Sequence, residues 1–275
     1  MMIFCAICAG ISGICLSESW LILEERYPKL YGSTLTRKPF ATIGMHAYGT
    51  GMSILISVLL NITKLGTTTV FLLLISKLVH SLTNTFISLS VCQWVLIVAV
   101  CLFLPMMLGS PADFWPIAYS AMISTVIGTT LLIIALIIQI KESGISKNFH
   151  VESAESFVTA FGTFLFAFGG AAAFPNFQND MKEKDKFSKA VILGFGGLLT
   201  LYIPTSVLGY AAYGSFVQGS ILDSMQHNEK LKILVIFIEM FFFIHCTTAV
   251  MIIANPVYLD LEELFKISKG RFFLC

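Results

Sequence analysis

Charged side chains are scarce in this chain of 275 residues. Asp, Glu, Lys and Arg together make up 12%, against 56% hydrophobic residues and a mean hydropathy of +0.85. A soluble domain has too little polar surface to cover that much apolar mass, so a soluble globular protein is excluded. Neither sign of charge is in excess. The formal net charge is +1, and nothing in it points to nucleic acid or to an acidic partner. The polar–apolar alternation of membrane β-strands is missing, because the apolar runs are continuous. Low-complexity linkers and a separate soluble domain are missing as well. The opening run lacks a basic n-region and a clear cleavage site, so it reads as a span and not as a signal peptide. Seven cysteines lie mostly inside apolar runs and form no disulfide framework. The Cys5–Cys8 CxxC, placed in lipid, is read as packing sooner than zinc or redox chemistry. The single glycosylation triplet, Asn61-Ile62-Thr63, lies within an apolar run. No metal or cofactor set stands out, and no enzyme chemistry is expected.

What the chain does have is length of apolar run. Several runs reach the roughly 20 residues that cross a bilayer as a helix. Seven spans are expected, near 2–23, 52–79, 91–108, 115–140, 155–180, 189–213 and 231–258. They make a single all-α polytopic membrane domain over 1–275. Pro105 and Pro111 mark the end of the short third span. Basic residues set the orientation. One side holds Arg26, Lys29, Arg37, Lys38, Lys182, Lys184, Lys186, Lys189, Lys266, Lys269 and Arg271. The other holds Lys77, Lys141, Lys147, Lys230 and Lys232. The first side is therefore expected in the cytoplasm, with the N-terminus non-cytoplasmic and the C-terminus cytoplasmic.

Three places could carry chemistry. In the second span Ser53, Ser57, Asn61, Lys64 and Thr68 recur at three- and four-residue spacing, and so share one helical face. A charge such as Lys64 deep in a bilayer costs on the order of several kcal/mol unless paired or hydrated. The face lines a solute path, or it makes interhelical hydrogen bonds and one ion pair; both readings stay open. In the last span Glu239 is the other strong charge, accompanied by His245, Thr247 and Thr248. A Lys64–Glu239 pair would cancel two desolvation costs. In the fifth span, "FAFGGAAAFP" weakens a helix at its middle. Each glycine costs about 1 kcal/mol relative to alanine, and Pro175 removes a donor and crowds the Ala171 carbonyl. A break at Gly169, Gly170 and Pro175 that grips a solute and a plain kink remain equal readings at this point.

The stretch "FGTFLFAFGGAAAFPNFQNDMKEKDKFSKAVILGF" (161–195) resembles the sixth helix and following loop of the amino acid/auxin permease family. These are transmembrane amino acid transporters, among them the plant amino acid permeases and the vesicular GABA transporter. The pattern F-A-F-G-G, then F-P-x-x-Q-x-D-M, carries the resemblance. "ESWLILEERYP" (18–28), "RKPFATIGMHAYG" (37–49) and "IIANPVYLDLEELF" (252–265) match in the same order. The resemblance implies an incomplete leucine-transporter-like inverted-repeat fold, in which the seven spans are family helices two to eight. It also implies secondary active transport of amino acids or related small solutes, coupled to a proton or sodium.

On that reading the solute carboxylate meets amides at Phe168, Gly169, Gly170 and Ala171. Phe174 shapes a side-chain pocket, together with Phe166 and Phe168. Asn61, Lys64 and Thr67 or Thr68 line one wall, and Glu239 with Thr247 or Thr248 another. Lys64 and Glu239 are the charge-carrying candidates for coupling. The plasma membrane or an endolysosomal or vesicular membrane is the expected location. Two alternatives are a non-transporting regulatory or sensing protein made from a shortened transporter and, behind it, a seven-helix receptor. Against the receptor, the third span ends without a D-R-Y-like triplet.

Overall fold

The structure, a computed structural model, describes residues 1–31, 36, 38–84, 86–107, 115–149, 153–226 and 228–264. Pro111, Arg37, Lys266, Lys269 and Arg271 lie outside the described residues. Every regular element among the described residues is helical. Five helices are long and apolar enough to cross a membrane: Met2–Arg26, Thr50–Thr83, Pro116–Ser143, Lys184–Phe216 and Lys232–Ala254. The third and fifth expected spans fall on shorter apolar helices, Val91–Phe103 and Ala154–Ala167. The chain is thus an all-helical integral membrane protein that crosses the bilayer several times.

The helices are α1 (Met2–Arg26), α2 (Pro28–Tyr31), α3 (Pro39–Tyr48), α4 (Thr50–Thr83), α5 (Val91–Met107), α6 (Trp115–Ser143), α7 (Ala154–Ala167), α8 (Phe174–Asp180), α9 (Phe187–Tyr213), α10 (Ile221–Met225) and α11 (Lys232–Leu264). They divide into two compact units, Met1–Leu60 with His150–Ile203, and Asn61–Phe149 with Pro204–Cys275. Helices α4 and α9 each contribute to both. In α9 the division falls at Pro204, which cannot donate to the carbonyl one turn back. Along α4 only Ile75 and Ser76 are buried.

In the first unit Cys5 and Ala6 of α1 meet Phe168, flanked by Phe161, Phe164, Phe195 and Tyr202. Around the first loop, Trp20, Tyr27, Tyr31 and His46 form an aromatic corner. Trp20 is fully buried and its ring lies 5.8 Å from that of Tyr31. The Tyr31 hydroxyl bonds His46 Nε2 at 2.9 Å, and the Tyr27 ring lies 4.8 Å from the His46 ring. Pro39 opens α3, where a missing N–H costs nothing. Gly49, at φ 83°, closes it in a conformation that favours glycine.

In the second unit α6 and α11 run against each other. Leu132, Ala135 and Leu136 meet Val235 and Ile238, while Met225 and Leu231 seal one end. Gly128 allows the close approach, since a Cβ there would stand 3.1 Å from Phe241 Cβ. A second cluster joins α4, α5 and α11 through Ile75, Val98, Leu102, Cys246 and Val250. The turn after α9 is tied to the turn after α6. Ser146 N–H donates to Ala211 O at 2.9 Å, and Ser215 N–H to Asn148 O at 3.0 Å. Gly214 sits between them at φ 56°, and a Cβ there would strike the Asn148 carbonyl. Left-handed strain and that backbone clash together predict that Gly214→Ala lowers stability by about 2–4 kcal/mol. Thermal unfolding in detergent measures this, and a change under about 0.5 kcal/mol would contradict it.

Candidate functional site

The apolar helix α7 starts cleanly, with Ser153 accepting from the Ser156 amide and Glu155 in its first turn. It ends at Ala167. Gly169–Ala173 continue as a 3₁₀ helix, and α8 starts at Phe174 with Pro175 in its first turn. The axis therefore changes helix type over the small residues, where the α-helical bonding pattern is given up. Neither Gly169 nor Gly170 has a positive φ. Beside Gly169 there is nothing within 4 Å of an added Cβ; beside Gly170 only Phe174 comes to 4.0 Å. Backbone conformation and packing within the unit thus leave both positions free to hold larger residues, and the space beside them is open.

Neighbouring aromatic rings divide into two roles. Phe168 is 4% exposed, its ring 5.9 Å from Phe195 and 5.8 Å from Tyr202. It belongs to the core, and its N–H already donates to Phe164 O at 3.2 Å, so of the four candidate amides this one is taken up by the end of α7. Phe174 lies over Gly13, where a Cβ would come within 2.6 Å of its ring. With Phe177, Phe187, Val191 and Phe195 it lines an apolar hollow of about 250 Å³ beside the break. Phe166 is 47% exposed. Ala171 lies in the 3₁₀ segment, and its side chain is outside the described part.

What fixes α8 is a polar anchor that no sequence argument assigned. Gln178 is fully buried, and its amide donates to Ser17 Oγ at 2.9 Å, to Lys184 O at 3.1 Å and to Ser17 O at 3.3 Å. Asn179 donates to Thr36 O at 3.1 Å. Lys184 pairs with Glu24 of α1 and donates to Asn179 Oδ1 at 3.3 Å. Asp180 is exposed as a residue, yet protein around its carboxyl withholds enough water to raise its pKa, against the pull of Lys184. The sequence signal for Gln178 was its place in the pattern F-P-x-x-Q-x-D-M, which does not say what it bonds to.

The remaining candidates lie in the second unit. On α4 the Thr67 hydroxyl donates to Thr63 O at 2.9 Å and the Thr68 hydroxyl to Lys64 O at 2.8 Å. Thr248 of α11 donates to Ile244 O at 2.8 Å. Such bonds satisfy the hydroxyl hydrogen inside its own helix and leave lone pairs unused. Asn61 Oδ1 and Thr247 Oγ1 are buried and have no hydrogen-bond partner among the described residues. His245 Nδ1 meets Thr125 Oγ1 at 2.6 Å and Ala121 O at 3.2 Å, a packing bond between α11 and α6.

Glu239 is 3% exposed and accepts from Ser81 Oγ at 2.7 Å and Gln226 Nε2 at 3.3 Å. From Lys64 to Ser81 the continuous helix α4 climbs about 25 Å, at about 1.5 Å per residue, far beyond a lysine's reach. A Lys64–Glu239 ion pair is therefore not formed. The carboxylate on α11 sits beside Ser81, about half the length of α4 away from Lys64, and hydroxyl and amide donors hold it instead. Exchanging them, with Lys64→Glu and Glu239→Lys together, is expected to rescue nothing. In a double-mutant cycle on unfolding, the two effects should add to within about 0.5 kcal/mol. A larger coupling would restore the pair.

The family model described as transmembrane amino acid transporter protein matches residues 1–273. This chain belongs to the transmembrane amino acid transporter family. Curated members of similar sequence include "Vacuolar amino acid transporter 4" of Saccharomyces cerevisiae, 26% identical over 246 residues, which is 85% of this chain and 32% of that protein. "Amino acid transporter AVT3C" of Arabidopsis thaliana is 27% identical over 116 residues, 42% of this chain and 25% of the relative. "Amino acid transporter AVT1H" of the same plant is 35% identical over 71 residues, 26% of this chain and 17% of the relative. The transporter-family chain thus spans a third or less of the length of these relatives. No solved structure matches it.

Proposed function

We propose that this chain forms part of a secondary active transporter for amino acids or related small solutes. The observation that carries the reading is the open backbone at Gly169–Gly170, at a change of helix type, in a chain belonging to this transporter family. Amides there meet the solute's carboxylate, and the hollow beside Phe174 takes an apolar side chain. The unused acceptors of Asn61 and Thr247, and the lone pairs of Thr67, Thr68 and Thr248, supply polar surface to a solute or ion in the second unit. Glu239, held by neutral donors, is the coupling carboxylate for a proton or sodium. Lys64 carries a second charge on the α4 stripe. The seven apolar helices follow the family's inverted-repeat order, with the richer basic side in the cytoplasm. The vacuolar name of the yeast relative favours an internal membrane.

The test is reconstitution of the chain into proteoliposomes with a panel of radiolabelled amino acids. Accumulation driven by an imposed proton or sodium gradient supports transport and identifies the coupling ion. Binding without accumulation under any gradient, by this chain and by the longer transporter that contains it, overturns it in favour of a sensing or regulatory chain.

A further inference from the structure

His245 is a titratable group of the second unit to which the transport reading gives no role. It stands on α11 where that helix meets α6 and α4. Its Nδ1 lies 2.6 Å from Thr125 Oγ1 and 3.2 Å from Ala121 O, and its ring centroid lies 6.2 Å from that of Phe71. These contacts fix the tautomer. A carbonyl oxygen only accepts, so an Nδ1 that faces Ala121 O carries the hydrogen. The Thr125 hydroxyl has one hydrogen, and Ala121 O takes it at 2.8 Å, as it takes that of Ser124 at 3.0 Å. Thr125 Oγ1 is then left as an acceptor, and Nδ1–H donates to it. In the opposite assignment Thr125 donates to Nδ1. That would set the Nδ1 lone pair against the Ala121 carbonyl and break the hydroxyl's bond inside α6. The neutral ring is therefore the Nδ1–H form, with its lone pair at Nε2. That atom makes no hydrogen bond among the described residues, and the ring is only half-buried.

Charged side chains stand off from the ring. Helix α5 carries none, and its titratable groups are Cys92 and Cys101. On α6 the titratable group nearest in sequence to Ala121 is Tyr119. On α4, Lys64 and Lys77 lie about 10 Å along the axis from Phe71. On α11, Cys246 is adjacent and Glu239 lies about 9 Å along the axis. No carboxylate is placed to lock an imidazolium there, so a proton taken at Nε2 can leave again.

We propose that His245 Nε2 is a proton-binding site that fills and empties without loosening α11 from α6. Nδ1–H donates to Thr125 in the neutral and in the protonated ring alike, so the contact between the two helices keeps its bond in both states. Imidazole suits this use because its ordinary titration falls between about pH 5 and 8.

The experiment uses the chain in phosphatidylcholine nanodiscs with isotope-labelled histidine. Long-range proton–nitrogen spectra separate protonated from bare ring nitrogens, and His245→Asn assigns the His245 signals among the 5 histidines. At alkaline pH Nδ1 should be protonated and Nε2 bare. On acidification to about pH 4, Nε2 should take a proton while Nδ1 keeps its own. Thr125→Val removes the acceptor and should let the Nε2–H form appear in the neutral ring. A neutral wild-type ring in the Nε2–H form, or an Nε2 that stays bare down to about pH 4, overturns the proposal. A second arm rests on the transport reading and follows uptake by the intact transporter against pH. His245→Asn keeps an N–H where Nδ1–H stands but cannot titrate. It should lose at least about fivefold of the wild-type acid-to-alkaline uptake ratio, with the solute KM unchanged. An unchanged pH profile beside a titrating Nε2 leaves the proton site standing and overturns its part in transport. Absence of uptake at every pH counts against transport, and the spectra then decide the site alone.

Discussion

Replacing Gly169 or Gly170 with leucine should cut amino acid uptake by the intact transporter at least about a hundredfold, with its abundance in the membrane unchanged. The force of this prediction lies in what the fold does not require. Glycine is often fixed by a left-handed φ or a close neighbour, and neither applies at these positions. A leucine at 169 meets no atom within 4 Å at its Cβ, so it adds side chain to open space and leaves the packing of Phe168 untouched. In a helix leucine is also favoured over glycine by roughly 0.5–1 kcal/mol. The variant should therefore be at least as stable as wild type. Bulk placed over the open backbone would displace a bound carboxylate, and losing a charge-assisted contact there accounts for the first factor of ten or more. Occlusion of the path accounts for the rest. Gly170→Ala, whose Cβ only grazes Phe174 at 4.0 Å, should keep a measurable fraction of activity. Uptake at the wild-type rate in both leucine variants would remove the break from the site.

Gln178→Leu is expected to act in the opposite manner, destabilising the first unit by about 2–4 kcal/mol. Its amide is the donor for three buried acceptors on two separate segments, Ser17 in α1 and Lys184 beyond α8. Leucine fills a similar volume and removes the buried, unpartnered Gln178 Oε1, but it takes the donor away from Ser17 Oγ and Lys184 O, and each such loss costs about 1–3 kcal/mol. Gln178→Glu keeps the shape and puts an acceptor where donors are needed, so it should be worse than leucine. Unfolding followed through the fluorescence of Trp20, in the same unit, provides the measurement. If both variants unfold within about 0.5 kcal/mol of wild type, α8 is not held by this residue. Should the protein still fold, solute affinity should fall too, because α8 begins at the end of the 3₁₀ segment.

Much of this protein is legible in its sequence because lipid is a demanding solvent. Unsatisfied backbone is so costly there that a continuous apolar run has to be helix. Scarcity of charge therefore fixed the all-α membrane class, and the run lengths located the apolar helices. Backbone chemistry is local as well, so two glycines, three alanines and a proline marked where α-helix gives way near Gly169. The family pattern was likewise carried by adjacent residues, and the match over residues 1–273 rests on the same text.

Partners across the fold were not legible, because they depend on how helices are staggered and turned. Lys64 and Glu239 looked complementary as the two buried charges, yet the register of α4 against α11 sets Ser81, and not Lys64, beside the carboxylate. Phe168 and Phe174 are six residues apart and chemically identical, but packing against Cys5 and Ala6 buries the first ring in the core, while the second is only partly buried and lies over Gly13. Gln178 read only as part of a motif until α1 brought Ser17 to it. The sequence by itself determined which segments enter the membrane and where one helix yields, since both follow from local backbone satisfaction. Only the tertiary structure decided which polar side chains are paired, which are left with unused atoms and which charges stand together, as Lys184 and Glu24 do. Those outcomes turn on distances of a few ångströms between segments far apart in the chain.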